Sequence, residues 1–192
     1  IKNYLAKGGA LMDILEMNFV DGFIRMCNDG FLQGWHERNG GNLSYRLKSD
    51  EVELIKDSLN FTNEFEKIGD KVPNLANEFF LVTGSGKYFR NVIINPEENI
   101  TIIQIDGTGE EYRVVWGLTD GGRPTSELPS HLLNHSVKKR VTNDKHRVIY
   151  HCHTTNIIAL TFVLPLEGKV FTRELWEMAT ECPVVFPDGI GI

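Results

Sequence analysis

The sequence predicts a mixed fold, α/β or α+β, around a sheet that is at least partly antiparallel. Three observations predict it. "ENITIIQID" (98–106) and "EEYRVVWGL" (110–118) are β-rich runs joined by "GTG", the pattern of a hairpin, and hairpin strands are antiparallel. "NLSYRL" (42–47), "FFLVT" (79–83) and "RVIYHCH" (147–153) add further strands. Helical spacing over 12–34 and 125–140 places helices between these strands, and no internal repeat is visible.

The elements follow in order. Residues 1–12 are set aside as an N-terminal extension, which leaves one domain over 13–192. In 12–34, Leu15, Phe19, Phe23, Met26 and Cys27 recur at helical spacing, so this is a core-facing amphipathic helix. Asn39-Gly40-Gly41-Asn42 is a strong turn signal. After it, Leu43, Tyr45 and Leu47 alternate with Ser44 and Arg46, as a strand should. Residues 48–78 are charged and irregular and read as a surface excursion with one short helix. "FFLVT" runs into the glycine turn "GSG" (84–86), and the hairpin follows. "TSELPSHLLNHSVKKR" (125–140) is a helix with a hydroxyl cap and a basic last turn. "RVIYHCH" is a strand, "NIIALTFVL" starts a helix, "TRELWEMATE" is a helix, and "CPVVFPDGIGI" is a strand entering a turn.

Composition narrows the function. With 41% hydrophobic and 24% charged residues, the chain is ordinary for a soluble globular protein. Its apolar runs are far too short for a transmembrane helix. A net charge of −6 argues against a general nucleic-acid binder, which needs a basic face. An anionic small substrate stays open, because a site can be locally positive. The first residues lack the continuous apolar core of a secretory signal. Three cysteines without CxxC spacing make no disulfide framework, and a reducing cytoplasm is the simplest home. Cys27, Cys152 and Cys182 read as buried thiols, and Trp35, Trp116 and Trp176 as core or interface residues.

Four short stretches carry possible chemistry. In "RVIYHCHTTNIIAL" (147–160), strand alternation puts His151 and His153 on one face and Cys152 on the other. Two imidazoles side by side can converge on one metal ion, though a wet strand face holds such a pair equally well. "NGGN" (39–42) and "TGSG" (83–86) let backbone N–H groups approach an oxyanion, yet each is also a plain turn. In "PTSELP" (124–129), Thr125 and Ser126 stand where a helix begins, a place that suits phosphate but also ordinary capping. Glu127 follows them, either as a surface first-turn carboxylate or as a proton carrier. Taken together, the stretches suggest a divalent-metal enzyme acting on a phosphorylated small molecule. The metal would be a Lewis acid, and the Glu would move a proton at carbon.

The blocks "GWHERNGGNLSYRL", "FLVTGSGKYFRNV", "WGLTDGGRPTSELPSHLLNH", "KHRVIYHCHTTNIIALT" and "FTRELWEMATECPVVFPDGIGI" resemble the class II aldolase/adducin family, from about residue 16 onward. The resemblance implies a three-layer fold with a central, largely antiparallel sheet flanked by helices. It implies zinc-dependent, reversible aldol cleavage of L-rhamnulose 1-phosphate to dihydroxyacetone phosphate and L-lactaldehyde. Alternatives are another sugar-phosphate aldolase or a 4-epimerase of the family, or a non-catalytic adducin-like binding module. By the resemblance, His151 and His153 are two of three zinc histidines, and Glu127 is the acid/base beside the carbonyl. Asn39 would support the enediolate. Gly41, Asn42, Ser85, Gly86, Thr125 and Ser126 would cradle the phosphate, and Glu181 would handle the lactaldehyde end near a subunit boundary. A cytoplasmic homotetramer is implied. The family's third zinc histidine lies in a segment beyond Ile192, so the chain reads as the N-terminal two-thirds of a member. His131 and His135, four apart on a helix, are the spacing alternative for that ligand and are set aside.

Overall fold

The structure, a computed structural model, describes residues 13–191, so the N-terminal extension of residues 1–12 lies outside the described residues. The chain divides between Cys152 and His153 into two compact units.

In the first unit, helix α1 (Asn18–Leu32) is followed by strand β1 (Asn42–Arg46), helix α2 (Ser49–Ile55), and strands β2 (Glu66–Lys67) and β3 (Phe79–Thr83). Two single-turn helices, α3 (Phe89–Val92) and α4 (Pro96–Asn99), precede strands β4 (Ile100–Ile105) and β5 (Glu111–Gly117). Helix α5 (Leu128–Val141) and strand β6 (Val148–His151) complete it. The six strands form one sheet in the order β2-β5-β4-β3-β1-β6, and every adjacent pair is antiparallel.

Alternation along the strands makes three layers. Leu81 pairs with Ile102, and both pack with Leu43, Val115 and the α1 residues Val20, Phe23 and Cys27. Phe80 pairs with Ile103 on the opposite face, where both pack with Val82, Ile105 and the α5 residues Leu128 and Leu132. Each of these buried Val, Leu, Ile and Phe side chains contributes roughly 1.5–3 kcal/mol of hydrophobic stabilisation. The expected sandwich of a largely antiparallel sheet between helices is therefore present.

Local differences from the sequence reading have local causes. The first helix begins at Asn18, because Met17 is extended (φ −73°, ψ 135°) and separates α1 from a 3-10 turn over Ile14–Glu16 that Asp13 caps. Segment 48–78 is more than a surface excursion: Ile55, Leu59, Ile68, Val72 and Leu75 are buried against the two core clusters. Strand β1 has no wet face, since Ser44 and Arg46 are as buried as Leu43. Arg46 is held by Glu78 (Nη1 to Oε2, 2.8 Å) and by Asp144, so its charge enters the interior paired.

Strand β6 ends at His151, so strand alternation does not govern His151 and His153 as a pair. His153 opens the second unit, which holds α6 (Thr155–Leu160), α7 (Gly168–Met178) and α8 (Cys182–Val185). The expected strand at 182–192 is instead helical at its start. Pro183 sits in the first turn, where its missing N–H costs nothing, and Val185 N and Phe186 N donate to Glu181 O (3.0 Å) and Cys182 O (2.8 Å). Gly189 (φ +82°) then turns the chain so that Ile190 N donates to Thr172 Oγ1 of α7 (2.9 Å). Cys27 is buried as expected, whereas Cys152 and Cys182 are only half-buried, at the end of a strand and the start of a short helix. No helix among the described residues is long and apolar enough to cross a membrane.

Candidate active site

Thr83, the last residue of β3, ties three predicted turns together. Leu43 N donates to Thr83 Oγ1 (3.1 Å), and Thr125 N donates to Thr83 O (2.9 Å). Beyond it, Gly84 and Pro124 form an isolated antiparallel bridge, and Ser85 N donates to Arg123 O (2.8 Å). The start of β1, the glycine turn after β3 and the approach to α5 are thereby held at one end of the sheet. His151 reaches the same end, because β1 and β6 pair Asn42 with His151.

Glu127 sits at the N-cap position of α5 (φ −89°, ψ 10°) without capping the helix through its side chain. Its Oε2 instead accepts from His151 Nδ1 at 3.0 Å. Both side chains are substantially exposed, 47% for Glu127 and 39% for His151, so a substrate can reach them. The predicted hydroxyl cap is correspondingly different: Thr125 Oγ1 accepts from Glu127 N (3.3 Å) in a local turn before the helix.

Gly41 has φ +80°, and a Cβ there would lie 2.5 Å from His36 Nδ1 and 2.6 Å from His151 O. Only glycine lets the turn pass this close to β6. His36 anchors the same turn. Its Nδ1–H donates to Gly40 O (2.8 Å), Tyr150 Oη–H donates to its Nε2 (2.5 Å), and its ring stacks on Phe89 with centroids 3.7 Å apart. Burial pushes the Tyr150 phenol up, so it keeps the proton it donates.

Behind Asn42 runs a buried polar line that the sequence did not announce. His131 Nε2 meets Asn42 Oδ1, Ser44 Oγ lies 2.6 Å from His131 Nδ1, and the same oxygen lies 2.8 Å from His135 Nε2. The i, i+4 spacing of the two histidines was the one visible signal, and it reads equally well as a metal pair. Burial lowers the pKa of His131 to about 4 and that of His135 to about 3, so both are neutral near pH 7.

Of the predicted site residues, the first unit gathers Gly41, Asn42, Thr125, Glu127 and His151 around these contacts. Asn39, Ser85, Gly86 and Ser126 are exposed in the adjoining turns, and Gly86 (φ +70°) shapes the second of them. His153 and Glu181 belong to the second unit. There Glu181 is the N-cap residue of α8, and its Oε2 accepts from Thr180 Oγ1 (3.1 Å). Imidazole and carboxylate are donor types that suit zinc, but among the described residues no group of three or more His, Cys, Asp or Glu side chains gathers to hold a metal ion.

A family model described as the class II aldolase and adducin N-terminal domain matches residues 22–190. The chain belongs to the class II aldolase and adducin family. The aldolases of this family are metal-dependent. A rhamnulose-1-phosphate aldolase from Mannheimia succiniciproducens is 52% identical over 182 residues, covering 95% of this chain and 67% of that protein. One from Pectobacterium atrosepticum is 50% identical over 179 residues, covering 93% of this chain and 65% of the relative. The chain thus spans about two-thirds of the length of the curated relatives it matches. The crystal structure of a sugar-phosphate aldolase from Thermotoga maritima superposes with a TM-score of 0.73 at 22% identity, covering 88% of this chain and 67% of that one. At that identity the match speaks for the class II aldolase fold.

Proposed function

We propose that this chain carries the chemistry of a zinc-dependent aldolase that cleaves L-rhamnulose 1-phosphate reversibly into dihydroxyacetone phosphate and L-lactaldehyde. The observation that carries the reading is the Glu127–His151 contact at 3.0 Å, beside the turns that hold Asn42, Ser85 and Thr125. The high identity to relatives named for this reaction supports the choice of sugar.

In this reading His151 and His153 hold zinc, which when bound supplies Lewis-acid polarisation of the substrate's carbonyl and hydroxyl oxygens. Glu127 moves the proton at the carbon beside the carbonyl. In the cleavage direction the C4 hydroxyl gives its proton to solvent as its oxygen becomes the aldehyde carbonyl, the C3–C4 bond breaks with its electrons staying on C3, and Glu127 delivers a proton there. In the condensation direction Glu127 removes that proton. Its exposure supports a carboxylate that faces a substrate carbon beside the contact its Oε2 makes with His151. Asn39 supports the negative oxygen, and Gly41, Asn42, Ser85, Gly86, Thr125 and Ser126 offer N–H and O–H donors to the phosphate. Glu181 acts at the lactaldehyde end. A cytoplasmic homotetramer completes the reading.

The test is release of dihydroxyacetone phosphate from L-rhamnulose 1-phosphate by the zinc-loaded full-length gene product, with L-fuculose 1-phosphate alongside. Preferred cleavage of the rhamnulose substrate is expected. Cleavage of neither would overturn the aldolase reading, and preference for the fuculose substrate would overturn the choice of sugar.

A further inference from the structure

We propose that His131 is a positioning residue that fixes which end of the Asn42 side chain faces the substrate phosphate. The inference rests on the reading above that Asn42 is a phosphate ligand.

An asparagine side chain has two ends of opposite character. Its amide nitrogen donates to an oxyanion, and its carbonyl oxygen repels one. Asn42 is buried at the first position of β1, so its orientation is decided by its neighbours. The neighbour is His131, which continues through Ser44 to His135.

With both imidazoles neutral, each carries one N–H, and the Ser44 hydroxyl, whose side-chain contacts are these two rings, donates to one and accepts from the other, which leaves two proton arrangements. In the first, His135 Nε2–H donates to Ser44 Oγ, Ser44 O–H donates to His131 Nδ1, and His131 Nε2–H donates to the Asn42 carbonyl. In the second, every bond is reversed, and the Asn42 amide nitrogen is turned inward to donate to His131. The far end of the line decides between them. His135 is fully buried, and among the described residues its Nδ1 has no hydrogen-bond partner. The first arrangement leaves a lone pair at that atom, and the second leaves an N–H donor with nothing to meet. A stranded buried N–H is the rarer and costlier defect. The Arg46 guanidinium, two residues along the same face of β1 from Ser44, also places its positive charge on His135. A lone pair tolerates that charge better than a further N–H does.

The first arrangement therefore holds. The Asn42 carbonyl is engaged by His131, and the amide end is the one turned away from α5. The same buried line disfavours the flipped asparagine, so the donor is set before any phosphate arrives, which is the economy of a preorganised site.

Two measurements on the zinc-loaded full-length gene product test this. Imidazole ¹⁵N NMR reads the tautomers directly and independently of activity: Nε2–H is expected at both His131 and His135, and Nδ1–H at His135 would overturn the proposal. The second measurement is competitive inhibition by inorganic phosphate, together with the ratio of kcat/KM for L-rhamnulose 1-phosphate to that for unphosphorylated L-rhamnulose. Asn42→Ala and His131→Leu should each weaken phosphate inhibition and lower the ratio about ten- to a hundredfold, with zinc content unchanged. His131→Gln keeps a donor near the Nε2 position and should restore most of the loss. Wild-type phosphate inhibition in His131→Leu, with the loss present in Asn42→Ala, would overturn the positioning role. No loss in Asn42→Ala would instead overturn the phosphate reading beneath it.

Discussion

Glu127 Oε2 and His151 Nδ1 lie 3.0 Å apart, although 24 positions of sequence and the whole of α5 separate them. The contact exists because Thr83 fixes the approach to α5 and Asn42 fixes the end of β6. A carboxylate and an imidazole are thus delivered to one place by two different elements.

Replacing Glu127 with glutamine keeps the shape and removes the base proposed above. Turnover in the aldolase assay should fall about 10²–10⁴-fold, with zinc content and unfolding midpoint near wild type. A variant of full activity would remove Glu127 from the chemistry.

The buried histidines should make the fold sensitive to acid. Their folded pKa values, about 4 for His131 and about 3 for His135, lie below the ordinary 6.5. Between these values the unfolded chain binds protons that the folded chain refuses, so stability is complete above about pH 6.5 and declines as pH falls. The loss from this source is on the order of a few kcal/mol per histidine and levels off below about pH 3. Urea unfolding at pH 7 and pH 5 measures it, and His135→Leu should flatten the slope.

Two glycines of α1 should respond oppositely to alanine. A Cβ at Gly30 would lie 1.9 Å from Tyr150 Oη and 2.9 Å from His36 Nε2, whereas at Gly22 nothing lies within 4 Å. Gly30→Ala should destabilise by about 1–3 kcal/mol through overpacking. It should also disturb the His36 anchor of the 39–42 turn. Gly22→Ala should stabilise by about 0.5–1 kcal/mol, since it only improves helix propensity. Equal midpoints in chemical denaturation would contradict the packing at Gly30.

Arg46 is almost wholly buried and shared between Glu78 and Asp144. Arg46→Ala should cost on the order of 2–4 kcal/mol, mainly through the packing of its buried side chain, because Glu78 keeps Lys139 and Asp144 keeps Arg147. Thermal unfolding measures this, and a change below about 1 kcal/mol would contradict that packing contribution.

The sequence by itself determined the features that depend on neighbours along the chain. Apolar residues at helical spacing made α1, a glycine turn between two β-rich runs made the β4–β5 hairpin, and a basic last turn marked the end of α5. The motif blocks also pointed to the family and to Glu127 and His151. Tertiary structure alone decided what depends on contacts across the sheet. Alternation in β1 left the burial of its polar residues open, and Ser44 and Arg46 lie inside because His131, His135, Glu78 and Asp144 come from distant segments to satisfy them. The HxH pair looked like one strand face, yet the strand ends at His151. "CPVV" looked like a strand from its β-branched residues, yet Pro183 in a first turn made it helical. For Ser44 and Arg46 the local pattern left burial open, and partners remote in sequence decided it.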